Sequence, residues 1–129
     1  MKPYKEKNTV VNIQGTTVKF RYPTFADKIA IEGMKMVITR GQYGSLAIGM
    51  LQSQQDTALM AEKIASLSVL VSFPDDKEDK LSFENLDPES PEDIAFINDC
   101  YTQYVAWRES FRPSTDKVDK PKPGEATQK

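Results

Sequence analysis

Residues 90 to 112, SPEDIAFINDCYTQYVAWRESFR, constrain the fold more than any other stretch of this chain. Ser90 is a favoured N-cap, Pro91 suits the first helical position, and Glu92 and Asp93 put negative charge where the helix dipole is positive. A helix starting at Ser90 is therefore expected. It carries Phe96, Tyr101, Tyr104, Trp107 and Phe111, five of the aromatic residues that the chain holds as one Trp, five Tyr and six Phe. At 3.6 residues per turn Ile94, Ile97, Tyr101, Tyr104, Val105 and the stem of Arg108 share one stripe. Phe96, Cys100, Trp107 and Phe111 form a second stripe beside it, so the apolar arc spans roughly 180°, against about 100° for a surface helix. Such a helix has two things to pack against, and we read the second as a partner. Tyr101, Tyr104, Trp107, Arg108, Phe111 and Arg112 are on this reading a protein-interaction surface, with the adaptable Met34 and Met36 of an earlier helix beside them.

Upstream, the pattern changes period twice. TVVNI and TTVKFRY, within residues 9 to 22, are rich in β-branched and aromatic residues, with Gln14-Gly15 as the turn. Alternation places Val18, Phe20 and Tyr22 on one face, and this pair is expected to be the only one. An isolated hairpin is marginal in water, so it must lie on helices or join another chain's edge. Thr24 then caps a helix to about Arg40, with Asp27 at the capping-box position and Gly41 ending it. Its polar stripe, Lys28, Glu32, Lys35 and Thr39, is narrow, and Gly33 in its interior signals a close helix crossing. A short helix over Tyr43 to Leu51 follows. Asp56 caps a stronger one that runs to Pro74, with Met60, Ile64, Leu67 and Val71 as its core stripe. The Leu67–Val71 run belongs at the domain centre.

From Pro74 to Asp93 the chain places nine acidic residues against Lys77 and Lys80. This connector is solvated, with Leu81, Phe83 and Leu86 available to clip it to the core, and it could steer a basic partner. Residues 113 to 129, PSTDKVDKPKPGEATQK, hold one aliphatic residue larger than Ala and are expected to be disordered. The fold class is thus mainly α. A single domain over residues 1–112 holds about four helices and an N-terminal β-hairpin, followed by a disordered polar tail over 113–129.

Several chemistries lack their residues. The chain has no His and one Cys, so the commonest general base, zinc ligation by His and CxxC chemistry are missing. No phosphate-binding glycine loop occurs, and DDKEDKLSFE does not have the spacing of a calcium loop. Asp75–Asp76 and Asp116–Asp119 sit in water-exposed segments where burial cannot tune a pKa. We expect no enzyme, no cofactor and no metal. A net charge of −2 gives no support for nucleic-acid or acidic-membrane binding. Lys2, Lys5, Lys7, Lys19 and Arg21 cluster near the start, but no basic helix interleaved with aromatics backs them up. No apolar run approaches the ~20 residues of a membrane span. MKPYKEKN has no apolar stretch after it, unlike a signal peptide, and Cys100 reads as a buried thiol in a reducing cytosol.

A short strand pair running into YPTFADKIAIEGM, a set of apolar helices, an acidic connector, a final helix ending YVAWRESFRP and a polar tail together resemble the small tail assembly chaperones of long-tailed bacteriophages. The resemblance covers residues 8 to 113 in layout and is sharpest from Tyr101 to Arg112. It implies a mostly helical, non-enzymatic protein of the infected host's cytoplasm that is absent from the mature virion. Its partners would be the tape measure protein, held until the tail tube polymerises around it, and the tail tube protein. A ribosomal frameshift near the end of such genes often appends a second domain. Excess apolar surface and the spread of methionines fit self-association or a helical client. A tail-completion or connector component of the virion, and a small helical regulator of a host factor, are the other readings of the same composition.

Overall fold

The hairpin turn at Gln14-Gly15 sets the architecture, because φ is positive at both residues (51° and 85°), the signature of a tight type I′ turn. In the computed structural model, which describes residues 7–78 and 80–111, it joins β1 (Asn8–Ile13) to β2 (Thr16–Arg21). The antiparallel register pairs Ile13 with Thr16 and Asn8 with Arg21. Asn12 Oδ1 accepts from the Gly15 amide (3.1 Å), which closes the turn. Val18 and Phe20 face inward and are fully buried, as the alternation requires.

Four helices follow: α1 (Phe25–Ile38), α2 (Tyr43–Ala47), α3 (Gln52–Leu70) and α4 (Pro91–Glu109). Thr24 caps α1 with the expected capping box: its hydroxyl accepts from the Asp27 amide (3.1 Å), and the Asp27 carboxylate accepts from the Thr24 amide (2.9 Å). Beyond Ile38, Gly41 at φ 82° donates its amide to the Met36 carbonyl (2.8 Å), reversing the chain. Ser90 caps α4 by accepting from the Asp93 amide (3.2 Å).

Four details differ from the sequence reading, the smallest being that α2, expected over Tyr43 to Leu51, ends at Ala47. The hairpin is not alone: Val71–Ser72 form a third strand, β3, which pairs antiparallel with Lys19–Phe20 to give a sheet ordered β1-β2-β3. The chain leaves helical geometry at Val71 because extending there pairs it with β2 and still buries its side chain. Asp56 does not cap α3, which begins four residues earlier. There the Gln54 side chain accepts from the Leu51 amide (3.1 Å), and Asp56 instead accepts from Gln52 (2.8 Å) within the helix. Gly33 makes no close crossing within the chain, since a Cβ built on it would meet nothing within 4 Å. The buried small residues are Ala58, Ala61 and Ala65 of α3, the helix on which α1 and α2 pack.

The core lies between the sheet, α3 and α4. Ile13, Val18 and Phe20 meet Leu67, Leu70 and Val71, with Ile97, Cys100 and Tyr104 of α4 closing it. In the acidic connector a single 3₁₀ turn, Phe83–Asn85, drives Phe83 into this core, where it packs on Phe73 and Phe96 (ring centroids 5.1 and 6.0 Å). Leu86 is half-buried beside it, while Leu81 stays exposed. Arg112, the tail expected over 113–129, and Lys2 and Lys5 of the basic cluster lie outside the described residues.

Candidate interaction surface

The two stripes of α4 have different fates from the one expected. Phe96 joins Phe73 and Phe83 under the connector. Tyr104 is 1% exposed; its ring meets Phe20 edge-on (5.4 Å, 88°), and its hydroxyl donates to the Arg21 carbonyl (2.8 Å). Burial pushes the Tyr104 phenol well above its ordinary pKa, so it remains a donor. Trp107 is half-buried among Phe20, Tyr22, Tyr104 and Phe111 (5.2–6.5 Å). Arg108 lies over the Tyr104 ring (5.8 Å), and Tyr101 sits half-buried under the Lys63 ammonium (5.8 Å). Phe111 alone of these aromatics is exposed, against Tyr22 and the Lys7 ammonium. The second thing α4 packs against is therefore the chain's own hairpin. Tyr104 in particular reaches no partner in this fold, because the bulky inward face of β2 needs a cover and α4 is that cover. Cys100 is fully buried in the same seam, and burial, with Asp99 beside it, pushes its thiol up to about 12.

The α1 helix is turned the other way. Its two buried side chains are Asp27 and Lys35, while Phe25 is 88% exposed and Ile29 72%. Burial opposes the charge on Asp27. The Arg21 guanidinium (2.5 Å) and the Thr24 amide and hydroxyl nonetheless hold its carboxyl below the usual carboxylate range. Arg21 also donates to the Val69 carbonyl (2.8 Å), so one polar node ties β2, α1, α3 and α4 together. At the other end Lys35 pairs with Glu32 (2.8 Å) and lies over the Tyr43 ring (4.5 Å), and Tyr43 donates to Glu62 (2.6 Å). Burial works against the Lys35 charge, but Glu32, Tyr43 and Glu62 raise its pKa overall. The Glu62 carboxylate, then burial, raises that of Tyr43. These two nodes fix which way α1 faces.

Met36 and Val37 complete its outward face, and Met34 is half-buried. Beyond α1, Ile48, Met50, Leu51 and Leu59 are exposed as well. Eight of the eleven exposed large hydrophobics among the described residues thus fall between Phe25 and Leu59. A cleft of about 520 Å³ between α1, α2 and α3 is lined by Ile38, Leu46, Met60, Ala61 and Ile64 together with Asp56 and Thr57.

Set against known protein families, curated proteins and solved structures, the chain matches none. Among the described residues no group of three or more His, Cys, Asp or Glu is placed to hold a metal. No helix among them is long and apolar enough to cross a membrane. Sequence reasoning expected excess apolar surface on the first helix and adaptable methionines including Met50, but it did not single out Phe25, Ile29, Val37, Ile48 and Leu51 as the outward-facing residues. Their one signal was Asp27: a capping-box acid following a strand-end Arg is free to turn inward and carry the apolar side of the helix outward.

Proposed function

We propose that this chain is a non-enzymatic binding protein, a tail assembly chaperone of a long-tailed bacteriophage. It holds the tape measure protein in the host cytoplasm, helps recruit tail tube subunits and does not remain in the virion. The phage partners come from the resemblance of its layout. What supports a binding role is the exposed apolar corner of Ile48, Met50 and Leu51 where α2 turns into α3, together with the cleft lined by Leu46, Met60 and Ile64. Met50, an unbranched and adaptable side chain, is 95% exposed there, although the core is closed without it. An amphipathic client helix would bury its apolar residues at i, i+3 and i+4 against such a corner.

Co-expression of the full chain with the tape measure protein of the same phage, followed by pull-down, tests this. The tape measure protein should co-purify, the double change Ile48→Asp with Leu51→Asp should release it, and purified virions should lack the chain. Stable presence in virions would instead make the protein a tail-completion or connector component. Failure to capture the tape measure protein at all would remove the chaperone reading.

A further inference from the structure

The outward face of α1 has its own pattern, and the pattern is self-complementary. Phe25, Ile29, Met36 and Val37 are exposed along it, with Gly33 at its middle and open space where a Cβ would stand. Lys28 and the 71% exposed Glu32 lie together on one flank. From these we infer that this face is the interface of a homodimer, in which α1 packs antiparallel on α1 of a second copy. The inference goes beyond the client reading and stands without it, because only this chain is required.

The register follows from the side chains. When two identical helices pack antiparallel about a twofold axis, each flank meets the same flank of the other copy. Centring the axis near residue 31 sets Ile29 over Gly33 of the second copy, where the missing side chain leaves room, and brings Phe25 to the exposed Met36 on the same flank, within one residue of rise. The same register leaves Lys28 about 3 Å along the axis from Glu32 of the second copy, at 1.5 Å rise per residue, so two intermolecular ion pairs border the apolar strip. A parallel pairing does none of this. It stacks Gly33 on Gly33, leaving a gap, and turns the Lys28–Glu32 flank toward the apolar Ala30–Val37 flank. Gly33, which weakens a helix and serves no contact inside the chain, gives Ile29 of the second copy its place in the antiparallel arrangement.

Sedimentation equilibrium on the full chain should show a dimer. Ile29→Glu and, separately, Gly33→Leu should each weaken it by about tenfold or more, with the chain still folded and its helix content retained. The Leu variant is the sharper test, since leucine suits a helix better than glycine and has open space in the monomer. Register is read by oxidising a mixture of Ile29→Cys and Gly33→Cys chains. The mixed disulfide should form in preference to either like-with-like product, and the buried Cys100 should not compete. A monomer at ~100 μM would overturn the inference, since specific dimers of ordinary strength bind in the micromolar range or tighter. A dimer indifferent to both substitutions, or like-with-like linkage through position 29, would overturn it equally. Loss of the dimer with capture of the tape measure protein intact would separate this interface from the client corner.

Discussion

Helices α4 and α1 invert one another. By composition both carry more apolar arc than a small core needs, with the aromatics on α4 and a narrow polar stripe on α1, yet α4 spends most of its aromatics internally while α1 turns Phe25 and Ile29 to solvent. The difference lies in their neighbours. α4 is flanked by the hairpin on one side and the Phe73–Phe83 connector on the other, so both of its stripes are covered except at the terminal Phe111. α1 packs chiefly on α3, and its inward side holds charged groups already satisfied by Arg21 of β2 and by Glu32, Tyr43 and Glu62. An apolar arc therefore says how much a helix can bury. It does not say what covers it.

The largest expected effect that could break this comparison is at Tyr104. Tyr104→Ala should cost ~3–5 kcal/mol of fold stability in urea unfolding, by removing a fully buried aromatic from between Phe20 and Trp107. A loss below ~1 kcal/mol would mean that α4 is not held by the hairpin. Next comes the node that orients α1. Asp27→Ala removes a cap partner and a partly exposed ion pair, so the expected loss is about 1–3 kcal/mol after discounting for solvent around Arg21.

The same carboxylate has a pH signature. Its folded pKa lies below the ordinary 3.8, so its contribution is present above that value and is lost as the pH falls through the folded pKa. Asp27→Asn should accordingly be less stable than wild type at neutral pH, and the gap should close only below pH 3.8. Lys35 runs the other way: its folded pKa is raised above 10.5, so its share is full below that value and is lost as the pH climbs through the folded pKa. The smallest effect should be on the outward face. Ile29→Ser, followed under conditions where the chain is monomeric, should change stability by no more than about 0.5 kcal/mol. A loss of several kcal/mol there would show that α1 faces inward after all.

Where local chemistry decides, the sequence was readable. The turn at Gln14-Gly15, the Thr24–Asp27 capping box, the Ser90–Pro91 start of α4 and the inward set Val18 and Phe20 all rest on contacts spanning a few residues. The start of α3 was not, because Asp56 has the chemistry of a cap and nothing nearby distinguishes it from Gln54, whose side chain reaches the Leu51 amide. Nor was β3: Val71 and Ser72 continue the apolar run of a helix expected to reach Pro74, and pairing with Lys19–Phe20 some fifty residues away is what makes them a strand.

The interaction surface divides along the same line. That a chain with this many aromatics on one helix must bury a wide arc was fixed by composition and period, and so was the mainly helical fold with its leading hairpin. That the arc is closed by the chain's own β2, that Asp27 and Lys35 turn inward, and that the apolar residues left over gather between Phe25 and Leu59 were decided only by tertiary structure. The reason is physical. Helical periodicity gives the angle between side chains on one element, whereas rotation of that element about its axis is set by distant partners, here a strand-end arginine and a tyrosine on another helix.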